Sequence, residues 1–187
     1  MSLSKQEARV FAKSVWSEFL SRPENIDAIQ LHLKTYLEAN QYRRILATIP
    51  FSHEVDVIPT LIETRQNVYI PHVESNSEMT FHLFLSAGRF YGKIREGFRG
   101  IRGSDPESSI LELPLLPSDL VLIPALALSK NGHRLGRGGG YFDRWKDRMN
   151  RASMVAVLPH ELSSVDFEGE AHDLKIASFI SERGFFK

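Results

Sequence analysis

A chain of 187 residues, 42% of them apolar, is long enough to bury one sizeable core. Its 23 basic and 23 acidic residues cancel, which argues against a general nucleic-acid or anionic-membrane binder, where a basic excess is the rule. There is no cysteine, so disulfides, thiolate nucleophiles and cysteine-ligated zinc are excluded. The sequence opens without an apolar h-region and has no run near the ~18 apolar residues of a membrane span, so a cytoplasmic protein without a membrane partner is expected.

In chain order, Ser4 followed by Glu7 reads as a capping box. Ala8, Phe11, Ala12, Val15, Trp16 and Phe19 then recur at helical spacing and predict an amphipathic helix to about Leu20. Pro23 breaks it, and Ile26, Ile29, Leu33, Tyr36 and Leu37 mark a second helix. Ile45 to Ile49 reads as a buried strand ahead of Pro50, and Pro59 stands where a helix to about Gln66 can begin. Val68 to Val73, Met79 to Leu85, Leu120 to Ala125 and Ser153 to Leu158 read as strands, and Tyr141 to Arg151 as a helix. Residues 87–118, rich in Gly, Ser and Pro, hold no strong period and read as a long surface excursion.

Alternating strands and helices predict an α/β fold: a three-layer α/β/α sandwich around a mostly parallel, Rossmann-like sheet, in one domain over residues 1–187. Ligands of such sheets gather at the carboxyl ends of the strands. One string sits there, between the strand ending near Ala125 and the helix from Tyr141: Arg134-Leu135-Gly136-Arg137-Gly138-Gly139-Gly140-Tyr141-Phe142-Asp143-Arg144. Its glycines free the backbone to curl and leave N–H groups open to a ligand. Arginines supply permanent charge and planar donors, and Asp143 follows where a metal bound to phosphate could be held. Backbone amides, arginines and an acid describe a nucleotide phosphate site. A plain turn needs only the glycines.

Familiar glycine signatures do not fit. No Gly-Lys-Ser/Thr ending makes a Walker loop, and Tyr141 fills the third glycine position of a dinucleotide fingerprint. No His-Glu-x-x-His or Gly-x-Ser-x-Gly pattern supports a zinc or serine hydrolase. Taken with Ile123-Pro124-Ala125-Leu126-Ala127 and Gly132-His133, the string resembles the signature of the 5-formyltetrahydrofolate cyclo-ligases, also called 5,10-methenyltetrahydrofolate synthetases.

That resemblance implies an ATP-dependent ligase that closes 5-formyltetrahydrofolate to 5,10-methenyltetrahydrofolate, with ATP as co-substrate and Mg2+ as metal. It assigns nucleotide binding to Lys5, Arg9, Arg134, Leu135, Gly136, Arg137, Gly138, Gly139, Gly140, Tyr141 and Phe142. Ile49, Glu54, Arg137 and Tyr141 are implied at the folate, Arg137 and Tyr141 in catalysis, and Asp143 and Asp173 at magnesium. Glu54-Val55-Asp56 and His172-Asp173 match further family patterns. The chain departs from the family at Ser129, where an aspartate is usual, at Phe142, where a second tyrosine is usual, and at Ala177, where an acid is usual. A small-molecule folate partner, no nucleic acid and a monomer are the accompanying expectations. Arg95, Arg99 and Arg102 form a solvated face or a lid over a folate's glutamate tail. A nucleotide-binding regulator, a sugar-phosphate isomerase on a similar sheet and a partner-binding module stand as alternatives.

Overall fold

A computed structural model describes residues 2–187. The chain begins with helix α1 (Lys5–Leu20), and the expected capping box is formed: the Ser4 hydroxyl accepts the Glu7 N–H, and the Glu7 carboxylate accepts the Ser4 N–H. Ala8, Ala12, Trp16 and Phe19 make its buried stripe. Trp16 donates its indole N–H to the Leu126 carbonyl at 3.0 Å, which docks α1 beside the centre of the sheet. Pro23 ends α1 and opens α2 (Pro23–Ala39) from the first turn, where its missing N–H costs nothing.

The remaining elements are β1 (Arg44–Leu46), α3 (Ile58–Glu63), β2 (Asn67–Val73), β3 (Met79–Ser86), β4 (Arg89–Phe90), β5 (Ile94–Glu96) and β6 (Arg102–Ser104). They continue as β7 (Asp119–Pro124), β8 (Ala127–Leu128), β9 (Arg134–Leu135), α4 (Tyr141–Met149), β10 (Ser153–Val157), β11 (Phe179–Ser181) and β12 (Gly184–Phe186). Eight strands form the central sheet in the order β12-β11-β10-β7-β1-β2-β3-β4. The inner run β11-β10-β7-β1-β2 is parallel, with antiparallel strands at both edges. Helices flank this large, mostly parallel sheet, as the alternation of elements predicts. No helix among the described residues is long and apolar enough to cross a membrane.

At the centre, β1 is wholly buried and β7 almost so, which is why each reads as an apolar run after its charged first residue. Arg44 and Asp119 share one register position across them. The guanidinium donates to both carboxylate oxygens, at 2.9 and 2.5 Å, and to the carbonyls of Glu112 and Pro114. Desolvation alone would raise the Asp119 pKa, but Arg44 and the Leu116 N–H hold it below the usual carboxylate range.

Residues 87–118 lie mostly at the surface, as expected, but they are not irregular. This stretch contributes edge strand β4 and the β5–β6 hairpin, and it buries Ser104, Leu111 and Leu115. Gly103 lets β6 lie against β2, where a Cβ would overlap the Pro71 carbonyl. Strands of two or three residues cannot display a period, so the sequence pattern hides them. The C-terminal hairpin β11–β12 escapes for the same reason.

Candidate active site

Strand order reverses between β1 and β7, since the chain steps from β1 to β2 on one side and from β7 to β10 on the other. The crevice outside the carboxyl ends of those two strands is where an open parallel sheet places its ligand. The loop leaving β1 carries Ile49, Phe51 and Glu54. The segment leaving β7 runs through the β8–β9 hairpin into the glycine string. Ser129 turns that hairpin: its hydroxyl accepts the N–H groups of Asn131 and His133 at 3.3 and 3.1 Å. A hydroxyl thus supplies the turn acceptor where the family has a carboxylate.

Gly140 adopts φ +66° and stands as N-cap of α4, and Gly138 adopts φ +104°. Both are left-handed conformations that a side chain would strain. Gly136 has another use: the Arg134 guanidinium occupies the space its Cβ would need. The loop therefore folds over Arg134, with the start of α4 behind it.

Two cavities open on either side of this loop. One, of about 250 Å³, is mainly apolar and includes Ile49, Phe51, Met79, Ile101, Tyr141 and Phe142 in its wall, with Glu54 as its carboxylate. The other, of about 280 Å³, holds Lys5, Arg9, Arg134, Arg144 and Lys146 against Asp143 and Asp173. Arg134, Gly136 and Gly140 line both.

In the apolar cavity Glu54 is nearly buried, and its carboxylate accepts Arg137 Nε at 3.1 Å and the Phe51 N–H at 3.0 Å. Arg137 also donates to the Ser52 carbonyl and lies over the Phe51 ring at 5.1 Å. Tyr141 donates its hydroxyl to the Ser75 carbonyl at 3.0 Å. Phe142 is buried edge-on to Phe81, with Arg134 over its ring at 5.3 Å. A tyrosine in its place would carry its hydroxyl out of this packed cluster or strain it.

In the cationic cavity Arg134 donates to the Pro124 carbonyl at 2.6 Å and stands 3.5 Å from Asp143. Burial pushes the Arg134 pKa down, opposed by Asp143, Glu54 and Asp173, and a guanidinium keeps its charge even so. Asp143 accepts the Leu174 N–H at 3.0 Å, tying α4 to the segment that bears Asp173. Arg9 Nε donates to the Gly136 carbonyl at 2.9 Å, joining α1 to the glycine loop. Leu135 reaches this wall from β9 with its side chain buried.

The residues singled out in the sequence therefore converge, but they divide. Lys5, Arg9, Arg134, Leu135, Gly136, Gly138, Gly140, Asp143 and Asp173 line the cationic cavity, whereas Ile49, Glu54, Arg137, Gly139, Tyr141 and Phe142 line the apolar one. Sequence reasoning passed over Lys146, three residues past Asp143 and so on the same face of α4, which donates toward the carbonyls of Ala171 and His172 at 3.4 and 3.5 Å. It also passed over Ile101 as a cavity residue. Of the three excursion arginines, Arg102 lines the apolar cavity, Arg95 pairs with Asp105 at 3.2 Å, and Arg99 lies over Phe98.

The fold is a parallel α/β sheet whose switch-point crevice sets an apolar and a cationic cavity side by side, the arrangement in which such sheets receive ligands. A sequence model of the 5-formyltetrahydrofolate cyclo-ligase family matches residues 5–173. The chain belongs to that family and is an ATP-dependent cyclo-ligase. It is 28% identical to the 5-formyltetrahydrofolate cyclo-ligase of Mycolicibacterium smegmatis, over 75% of this chain and 74% of that protein. The cyclo-ligase of Haemophilus influenzae is 26% identical, over 74% and 75%. The NMR structure of the Aquifex aeolicus 5,10-methenyltetrahydrofolate synthetase shares the fold, with a TM-score of 0.74 at 21% identity over 98% of this chain and 92% of that one.

Proposed function

We propose that the apolar cavity receives the reacting end of 5-formyltetrahydrofolate and the cationic cavity the phosphates of ATP. The family's reaction is the activity of this chain: ATP-dependent conversion of 5-formyltetrahydrofolate to 5,10-methenyltetrahydrofolate, with release of ADP and phosphate. The observation that carries the site assignment is the shared wall: Arg134, Gly136 and Gly140 face both cavities, so a phosphoryl group and a formyl group can meet across one loop.

A formamide oxygen is a poor leaving group. The formyl oxygen attacks the γ-phosphorus and ADP departs, which turns that oxygen into a phosphate ester. N10 then attacks the activated carbon and loses its proton to water, and the C–O bond breaks as inorganic phosphate leaves. No protein nucleophile is required. The protein's part is alignment and charge neutralisation. Lys5, Arg9 and Arg134 with the loop amides would neutralise phosphate charge, and Glu54 would accept pterin N–H groups while Tyr141 borders the ring. Arg137 is the residue we place at the transferring group.

Asp143 and Asp173 line the phosphate side together, and no group of three or more metal-binding side chains occurs among the described residues. Two carboxylates with phosphate oxygens and water fit the needs of magnesium, which when bound would offset phosphoryl charge. We take the enzyme to be a monomer acting on a small-molecule folate. Zero net charge fits an enzyme with no nucleic-acid or anionic-membrane partner, and we place it in the cytoplasm.

The test is direct. Protein, 5-formyltetrahydrofolate and Mg-ATP are mixed and the absorbance of the methenyl product is followed. Product that requires ATP is expected, and Arg137→Ala is expected to lower turnover by about 10²-fold, the scale of one lost electrostatic donor. Nucleotide binding without product would favour a regulator instead.

A further inference from the structure

Arg137 sits in the string read as a phosphate loop, yet none of its partners is on the phosphate side. Its Nε holds Glu54, its terminal nitrogen the Ser52 carbonyl, and its plane the Phe51 ring. Its two string neighbours are fixed elsewhere: Arg134 by the Pro124 carbonyl and Asp143, Arg144 by the carbonyls of Asn76 and Gly139. Arg137 alone spans from the glycine loop to the loop after β1.

The cationic cavity begins one residue away on either side of it. Gly136 and Gly138 flank it and both line the cationic cavity. Gly138 has φ +104° and open space where a Cβ would stand. The Arg137 side chain is 30% exposed, against 11% for Glu54, so the arginine is the freer partner. A guanidinium on a flexible stem beside an anion site exchanges one charged acceptor for another at small cost.

Resting on the two-cavity assignment above, we infer that the Glu54–Arg137 ion pair couples the two substrate sites. Glu54 holds Arg137 on the folate side. When pterin N–H donors take the Glu54 lone pairs that Arg137 uses, the guanidinium turns to the phosphates. A carboxylate offers about four lone-pair sites, and one of the two Glu54 oxygens already holds the Phe51 N–H. The other holds Arg137 Nε, so a pterin donor arriving there shares one oxygen with the guanidinium and weakens its hold. Coupling of this kind is reciprocal: folate tightens nucleotide binding and nucleotide tightens folate binding by the same factor.

The experiment is calorimetric titration of a non-hydrolysable ATP analogue with magnesium. In the unaltered protein, saturating 5-formyltetrahydrofolate is expected to tighten the analogue by roughly 5- to 10-fold, the low end of measured site couplings. Glu54→Gln, of the same shape and neutral, is expected to bind the analogue about as much tighter with no folate present. In an Arg137→Ala background the same substitution is expected to change nothing, because the released group is gone. Unchanged or weaker binding in Glu54→Gln would overturn the coupling. A gain that persists without Arg137 would overturn it too, since that gain would be long-range charge repulsion. The latch is read on nucleotide binding alone. Failure of the folate assignment is read separately, as absence of the methenyl product from the unaltered enzyme.

Discussion

Lys5 Nζ lies 2.7 Å from Asp173 Oδ2, so the first turn of α1 is tied by charge to a residue 168 positions later in the chain. Glu170 adds a second acceptor at 3.4 Å. Burial alone would lower the Lys5 pKa, but Asp173 and Glu170 outweigh it and raise the group above its ordinary value. Burial likewise would raise Asp173, while Lys5 and the Glu170 N–H draw it below the usual range. The cation assigned to phosphate and the carboxylate assigned to magnesium therefore hold each other.

Lys5→Met keeps the stem and removes the charge. Asp173 is then left half-paired in a nearly buried position, and stability is expected to fall by roughly 1–3 kcal/mol. The KM for ATP is expected to rise by about tenfold, one charge-assisted contact, with a smaller change in kcat. Thermal melts and initial rates over a range of ATP concentrations check both. An unchanged KM would remove Lys5 from the nucleotide site.

Arg134 does three jobs that a lysine cannot combine. It donates through Nε to Pro124, stands beside Asp143 and covers the Phe142 ring. Arg134→Lys keeps one point charge and loses the fork and the plane. Turnover is expected to drop by about 10²- to 10³-fold. Steady-state rates at saturating substrates decide the matter, and a variant with near-normal kcat would place the essential charge elsewhere.

The sequence made much of this legible, for identifiable reasons. Ala8, Ala12, Trp16 and Phe19 betray α1 because one helical face meets one core, and the apolar run from Leu120 to Ala125 betrays β7 because a central parallel strand is apolar on both sides. The glycine string announced the site because few backbones need left-handed residues such as Gly138 and Gly140 beside three arginines. What it could not announce was side. Arg134 and Arg137 look alike in sequence, yet one is locked beneath the loop and the other crosses to Glu54, 83 residues away. Such pairings are set by how β1 and β7 lie together, which no local pattern encodes. Strands β5 and β6 were hidden for a similar reason: their order comes from packing on β2 and from each other.

Phe142 departs from the family's tyrosine, and its surroundings show what the ring does. It packs edge-on to Phe81 at 6.4 Å and presents its face to Arg134. Phe142→Leu keeps most of the apolar volume and removes both aromatic contacts. The loss is expected to be about 1–2 kcal/mol in stability. Because Arg134 lines both cavities, KM should rise for folate and for ATP together. Parallel KM measurements and a urea melt test this. A change confined to folate would mean that Phe142 acts only as cavity wall.

Acid should expose the pair at the centre of the sheet. Asp119 accepts Arg44 through both oxygens and the Leu116 N–H at 2.7 Å, and its carboxyl is held below the usual range. A group with a depressed folded-state pKa contributes stability that is full above the unfolded value, about 3.9 for aspartate, and is lost as pH falls through the lower folded value. Urea melts between pH 7 and pH 2 are therefore expected to show stability falling once pH drops below the unfolded carboxylate range, with Asp173 adding in the same direction. Asp119→Asn leaves the buried Arg44 without its counter-charge. It should cost about 3–5 kcal/mol at pH 7 and flatten the acid limb of the curve, because the titrating group is gone. If the variant kept the full acid slope, the loss of stability would have to come from carboxylates other than Asp119.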